Sequence, residues 1–164
     1  MLQKKICMLG AFSVGKTSLV KRYVQSVFSD TYLTTVGVKI DKKVVDVDGQ
    51  EVALILWDIA GEDDVSTVRM SYLRGTAGYV LVADGTRVVT LDVVRSLHSR
   101  VEAEIGPVPF VLLLNKSDLV DEWTVSEEEL QGLRDAGWSV RRTSAKSGEG
   151  VEDAFRELAV RSST

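Results

Sequence analysis

Two runs in this chain, AGYVLVAD at 77–84 and PFVLLLN at 109–115, are apolar at almost every position. A strand with one wet face alternates apolar and polar residues, whereas an unbroken apolar strand must be covered on both faces. Between them, LDVVRSLHSRVEAEI places Leu91, Val94, Leu97, Val101 and Ile105 at helical spacing. The same alternation runs from end to end. KKICML reads as a first strand, followed by a glycine-containing loop and a helix from Thr17 to about Gln25. KIDKKVVDV and EVALILWDI flank Asp48-Gly49, a dipeptide suited to a tight hairpin. SEEELQGLRDAG reads as a helix with Ser126 as N-cap, Glu129 three residues on and Gly137 as C-cap. WSVRRTS is a last short strand and VEDAFRELAVRS a closing amphipathic helix.

This order implies an α/β fold: a six-stranded, mostly parallel sheet with one antiparallel edge strand and helices on both faces. At 164 residues without a linker or repeat, residues 1–164 are expected to form one domain. In such folds ligands bind beyond the carboxyl ends of the strands, so functional residues should fall just after them.

Composition narrows the function. A net charge of -4 argues against a dedicated nucleic-acid binder and against docking on anionic lipid. The one cysteine, Cys7, lies inside the apolar run ICML and reads as a buried structural thiol in a reducing compartment. No signal peptide, spanning run, amino-terminal glycine or carboxyl-terminal cysteine is visible, so no direct lipid anchor and a cytoplasmic location are expected. The lone histidine, His98, sits among charged and serine residues and reads as surface rather than catalytic. Trp57, Trp123 and Trp138 read as core or rim.

GAFSVGKT, residues 10–17, lies between the first strand and the first helix and fits GxxxxGK[ST]. Gly10 and Gly15 let successive N–H groups turn toward one centre, and the helix N-terminus adds its positive end. Lys16 can then reach the outer phosphates of a nucleotide, and the Thr17 hydroxyl can ligate Mg²⁺. Asn115-Lys116-Ser117-Asp118 and Thr143-Ser144-Ala145-Lys146 each follow a strand and can line the same pocket. A carboxylate such as Asp118 accepts two parallel hydrogen bonds from guanine N1–H and its amino group, a donor pair that adenine lacks. The Lys116 stem can lie along the base.

With GAFSVGKT, YLTTVG, WDIAGE, YLRGTAGYVLVAD, NKSD and TSAK in this order and at this spacing, the chain resembles the Ras-like small GTPases, most closely the Rab branch. The resemblance covers essentially the whole chain and implies a P-loop G domain that binds GDP or GTP with Mg²⁺. It implies nucleotide contacts from Ser13, Val14, Gly15, Lys16, Thr17 and Ser18, with Phe28 covering the guanine edge-on. It assigns Mg²⁺ to Thr17, Thr35 and, through water, Asp58, and the γ-phosphate to Thr35 and Gly61. Base recognition falls to Asn115, Lys116 and Asp118, supported by Ser144, Ala145 and Lys146. Effector and regulator proteins are expected on the segments about 28–37 and 60–74.

Three departures from the family pattern bear on chemistry. Glu62 stands where the family has the glutamine that orients the attacking water. A carboxylate accepts a hydrogen bond from that water but cannot donate one to a phosphate oxygen. Either Glu62 turns into solvent or it binds protonated; slow intrinsic hydrolysis is expected in both cases. Phe12 and Ser13 replace small residues in the phosphate loop. Phe12 either borders the γ-phosphate and obstructs an arginine supplied in trans, or packs over the neighbouring loop. Asp63 and Asp64 replace an acid–arginine pair and read as solvated loop face. The expected catalytic set is Lys16, Thr35, Gly61 and Glu62. The competing expectation is a constitutively nucleotide-bound interaction module without useful hydrolysis.

Overall fold

In a computed structural model of the chain, which describes residues 2–11, 14–24, 32–33, 38–59 and 70–162, the described strands form one sheet. Its strands are β1 (Leu2–Gly10), β2 (Tyr32–Leu33), β3 (Lys39–Val47), β4 (Gln50–Asp58), β5 (Thr76–Asp84), β6 (Phe110–Asn115) and β7 (Val140–Arg142), in the order β2-β3-β4-β1-β5-β6-β7. β1 runs parallel to both β4 and β5, and β6 and β7 continue the parallel set. β3 is antiparallel to β4. All six expected strands are present; the two-residue β2 adds an antiparallel piece outside β3, which is therefore not quite the edge.

The period of two in the central strands explains the two-sided burial. In β1, Ile6 and Met8 face one core while Cys7 and Leu9 face the other; β5 and β6 divide their side chains in the same way. The first core is closed by the helices α1 (Lys16–Val24) and α4 (Val151–Ser162). The second is closed by α2 (Val89–Ile105) and α3 (Glu127–Asp135). Leu91, Val94, Leu97 and Val101 of α2 are all buried, and Ile105 lies at the margin. Cys7 is fully buried beside Thr76, and burial pushes its thiol pKa up.

Cross-ties fix the helices on the first face. The rings of Tyr23 (α1) and Phe155 (α4) stack with centroids 4.1 Å apart. Lys43 of β3 lies over the Tyr23 ring and binds the Tyr23 carbonyl at 2.7 Å and Glu152 of α4 at 2.9 Å. On the other side of β1, Lys5 binds the carbonyls of Tyr72 and Arg74 and sits 3.8 Å from the Trp57 ring centroid. Among the described residues no helix is long and apolar enough to cross a membrane.

Local signals are largely honoured. Asp48 and Gly49 both have positive φ, 51° and 83°, as a hairpin turn with the twist of its flanking strands requires. The Ser126 hydroxyl accepts the Glu129 N–H at 3.1 Å, the expected cap. At the other end of α3 the expectation is off by one residue. Ala136 is the cap and Gly137, at φ 92°, is the residue after it. The N–H groups of Gly137 and Trp138 return to the carbonyls of Arg134 and Leu133, a double closure that needs the left-handed residue past the cap.

One reading needs correction. His98 is not a surface residue: its side chain is 17% exposed. Its Nδ1 lies 2.8 Å from the Tyr79 hydroxyl and its Nε2 3.0 Å from Glu102. Its ring packs against Phe110 and Trp138. Position 98 adjoins the buried stripe of α2 next to Leu97 and Val101, and the aromatic residues of β5, β6 and the turn before β7 close over it. Trp57, Trp123 and Trp138 are partly buried rim residues, as expected.

Replacing Ser126 by Ala removes the α3 cap, and the expected cost is about 1 kcal/mol of stability. Urea denaturation followed by circular dichroism would measure it as a lower midpoint with an unchanged slope.

Candidate functional site

Because the central strands are parallel, their carboxyl ends share one edge of the sheet. Gly10, Asp58, Asp84 and Asn115 end β1, β4, β5 and β6 there, and Thr143 follows β7. The register pairs Met8 with Asp58 and Asp84 with Asn115, so these polar ends stand beside the loop that leaves β1.

That loop enters α1 through Val14, which is buried, and Gly15. The first intrahelical bond is Leu19 N–H to the Gly15 carbonyl at 2.9 Å. The N–H groups of Lys16, Thr17 and Ser18 therefore precede the ladder at the positive end of the helix. Lys16 is only 6% exposed, and its ammonium donates to Asp58 Oδ1 at 2.8 Å. The Thr17 hydroxyl donates to Asp58 Oδ2 at 2.6 Å. Asp58 is itself 4% exposed, so three groups separated by some forty residues in sequence meet in a nearly dry spot. A buried carboxylate is tolerated there because a cation and a hydroxyl satisfy it.

Asn115 joins this corner to the rest of the edge. Its amide Nδ2 donates to the Val14 carbonyl at 2.9 Å, and its Oδ1 accepts from the Thr143 hydroxyl at 3.3 Å. The close approach dictates glycine at position 15. Its φ is 93°, and a Cβ there would lie 2.3 Å from Asn115 Nδ2.

Next to Asn115 opens a cleft of about 440 Å³, lined by Gly15 from the loop before α1, Ser18 of α1, Asn115 to Leu119 except Ser117, and Ala145 and Lys146. Asp118 is fixed from the side: its Oδ1 accepts from the Ser144 hydroxyl at 2.8 Å. Ser144 is fully buried, and its Oγ also accepts the Ser147 N–H. The Ser117 N–H binds the Thr143 carbonyl at 3.0 Å, so the two loops are stitched through main chain as well. Arg22 of α1 reaches across to the Ser147 carbonyl at 3.0 Å.

The structure thus assembles Val14, Gly15, Lys16, Thr17, Ser18, Asp58, Asn115, Lys116, Asp118, Ser144, Ala145 and Lys146 along one edge. Ser13, Phe28, Thr35, Gly61 and Glu62 lie outside the described residues, as do Phe12, Asp63 and Asp64.

Sequence reasoning overlooked Leu119, Arg22 and above all Asp84. Asp84 accepts the N–H and hydroxyl of Thr86 on Oδ1, and Arg87 and the Lys116 ammonium on Oδ2. Burial alone would raise its pKa, but the hydrogen bonds from Thr86, Lys116 and Arg87 outweigh it and hold the carboxyl below the usual carboxylate range. The signal was present: an acid ending a fully buried strand, the same pattern that marked Asp58.

A model of the Ras family matches residues 5–163. Ras-related protein Rab-8B of Homo sapiens is 34% identical over 157 residues, which cover 94% of this chain and 76% of that protein. Ras-related protein Rab-13 of Canis lupus familiaris is also 34% identical, over 94% of this chain and 77% of its own length. GTP-binding protein ypt2 of Schizosaccharomyces pombe is 33% identical, over 94% of this chain and 78% of its own length.

Replacing Gly15 by Ala is expected to cost about 1–3 kcal/mol of stability from backbone strain, with the Asn115 clash in addition. A Gly15→Ala, Asn115→Ala double variant should recover the clash but not the strain, so its denaturation midpoint would fall less than the two single losses added together.

Proposed function

This chain belongs to the Ras family of small GTPases and is Rab-like, and from that membership we propose a single G domain that binds GDP and GTP with Mg²⁺ and switches between them with slow intrinsic hydrolysis. The observation that best supports this reading is the convergence of Lys16, Thr17 and Asp58 at the start of α1, joined through Asn115 to the cleft that holds Asp118.

The donor set fits Mg²⁺. The Thr17 hydroxyl and Asp58 carboxylate are hard oxygen donors brought together, and among the described residues no cluster of three or more His, Cys, Asp or Glu side chains offers a complete cage. That is the pattern of an ion that takes its remaining ligands from substrate phosphates and water. Thr17 and Asp58 would hold the ion, with Thr35 completing the site as the resemblance implies. Such an ion would supply charge neutralisation at the phosphate oxygens.

The remaining work falls to the protein. Lys16 and the N–H groups of Val14 to Ser18 neutralise and orient the phosphates, together with Ser13. Asp118, held by Ser144, accepts the guanine N1–H and amino hydrogens, and an adenine would leave that carboxylate unpaired. Asn115 fixes the distance between phosphate loop and base loop, Lys116 and Phe28 border the base, and Ala145 and Lys146 support it from the second loop. In hydrolysis water attacks the γ-phosphorus and GDP leaves with its β-phosphate oxygen. Gly61 and Thr35 are the groups assigned to the γ-phosphate. Glu62 beside that phosphate brings like charges together, about 4 kcal/mol at 4 Å in an intermediate dielectric. Effector and regulator proteins would read residues about 28–37 and 60–74 in the cytosol.

A second reading is favoured by Glu62 and Phe12 occurring together: a nucleotide-bound interaction module without useful turnover. In a single-turnover assay on pre-bound GTP, Glu62→Gln is expected to raise the rate at least about tenfold, equivalent to roughly 1.4 kcal/mol of barrier. A rate that stays at that of free GTP, and is restored neither by Glu62→Gln nor by Phe12→Gly, would select the module.

Base assignment has its own check. Asp118→Asn should weaken GTP binding and strengthen xanthosine triphosphate binding, shifting the ratio of the two dissociation constants by about a hundredfold or more. An unchanged ratio in a competition titration would refute the role given to Asp118.

A further inference from the structure

The carboxyl end of β5 was given no role in the proposed function, yet it carries the one described charged side chain with no solvent exposure, Asp84. Its two oxygens are used differently. Oδ1 accepts the Thr86 N–H at 2.8 Å and the Thr86 hydroxyl at 2.7 Å, which closes the turn after the strand. Oδ2 accepts Arg87 Nε at 3.2 Å and the Lys116 ammonium at 2.9 Å.

Lys116 lines the cleft, and its side chain is 33% exposed. Its backbone is unusual as well. With φ at 71° it is one of two described non-glycine residues in the left-handed region, and the other, Asp48, sits in the hairpin turn. A lysine does not adopt that conformation without being held there. The hold is visible around it. Asp84 pairs with Asn115 in the β5–β6 register, and the Gly85 N–H binds the Asn115 carbonyl at 3.1 Å. The Gly85 carbonyl accepts the Thr124 N–H at 2.8 Å beyond the base-reading motif, and the Trp123 ring fills the space a Cβ on Gly85 would need.

We infer that Asp84 is a positioning residue for the nucleotide base, acting through Lys116: it clamps the lysine head at the end of β5 so that the stem is already fixed as a wall of the cleft. The inference rests on the guanine-nucleotide reading above. A free lysine stem must give up rotamer freedom when a ligand covers it, whereas a tethered one has given it up beforehand. The benefit appears mainly as slower release of the bound nucleotide.

The experiment uses the full chain loaded with fluorescent GDP and chased with excess unlabelled GDP. If the wild-type chain does not retain fluorescent GDP in preference to fluorescent ADP, the guanine-nucleotide reading fails, whatever the variants do. Given retention, Asp84→Asn keeps the size of the side chain but removes the charge that holds Lys116, and release should accelerate about tenfold. Thr86→Val removes only the hydroxyl bond to Oδ1, leaves the Thr86 N–H bond in place, and should change release by less than about twofold. In the Asp84→Asn, Lys116→Met double variant, release should match that of Lys116→Met alone, because the carboxylate acts through the lysine. Unchanged release in Asp84→Asn overturns the proposal. So does an equal effect from Thr86→Val, or effects of Asp84→Asn and Lys116→Met that multiply in the double variant. Should Asp84→Asn fail to fold, Lys116→Met carries the test alone, since it keeps the apolar stem and loses the tether. Release from it as slow as from wild type would overturn the clamp.

Discussion

Burial of the central strands on both faces is the constraint from which the rest follows. β1, β5 and β6 have no face they can leave in water, so helices must cover both sides of the sheet. Helices reach both sides only through crossover connections, and such connections make the neighbouring strands parallel. Parallel strands bring all their carboxyl ends to one edge, and that edge collects Gly10, Asp58, Asp84, Asn115 and Thr143. The polar site is thus a consequence of apolar packing elsewhere.

At that edge three carboxylates are stabilised in three ways. Asp58 is satisfied by an ammonium and a hydroxyl from the start of α1. Asp84 is satisfied by the turn that follows it and by Lys116. Asp118 rests on one serine hydroxyl and borders the open cleft. The difference matters for function: Asp118 retains acceptor capacity toward a ligand, whereas Asp84 is saturated by internal donors and can act only on its neighbours. One neutral side chain, Asn115, spans the gap between the first loop and the last, and glycine at position 15 is what lets it come so close.

The chain departs from its family's sequence pattern at only a few positions of its motifs. GAFSVGKT, NKSD and TSAK keep the fixed positions of the Ras pattern, while Phe12, Ser13 and Glu62 depart from it. Affinity for nucleotide and the speed of its hydrolysis are separable, because the first depends on ground-state contacts and the second on a donor aimed at the transition state. A sequence can therefore keep one and change the other.

What the sequence determined by itself was the part carried by local pattern. Apolar periodicity gave six of the seven described strands and the four described α-helices to within about two residues, Asp48-Gly49 the hairpin, Ser126 the cap, and GxxxxGKT with NKSD the candidate site. Each of these signals lies within a few consecutive residues, where spacing translates directly into geometry. What only the tertiary structure decided was pairing across the chain. That Asp84 holds Lys116, that Arg22 reaches the Ser147 carbonyl, and that His98 is enclosed by Tyr79, Phe110 and Trp138 depend on strand order and register. A buried acid at a strand end is visible in sequence, but its partner lies more than thirty positions away. Only folding brings the two within hydrogen-bonding reach, and burial is what makes leaving either one unpaired costly.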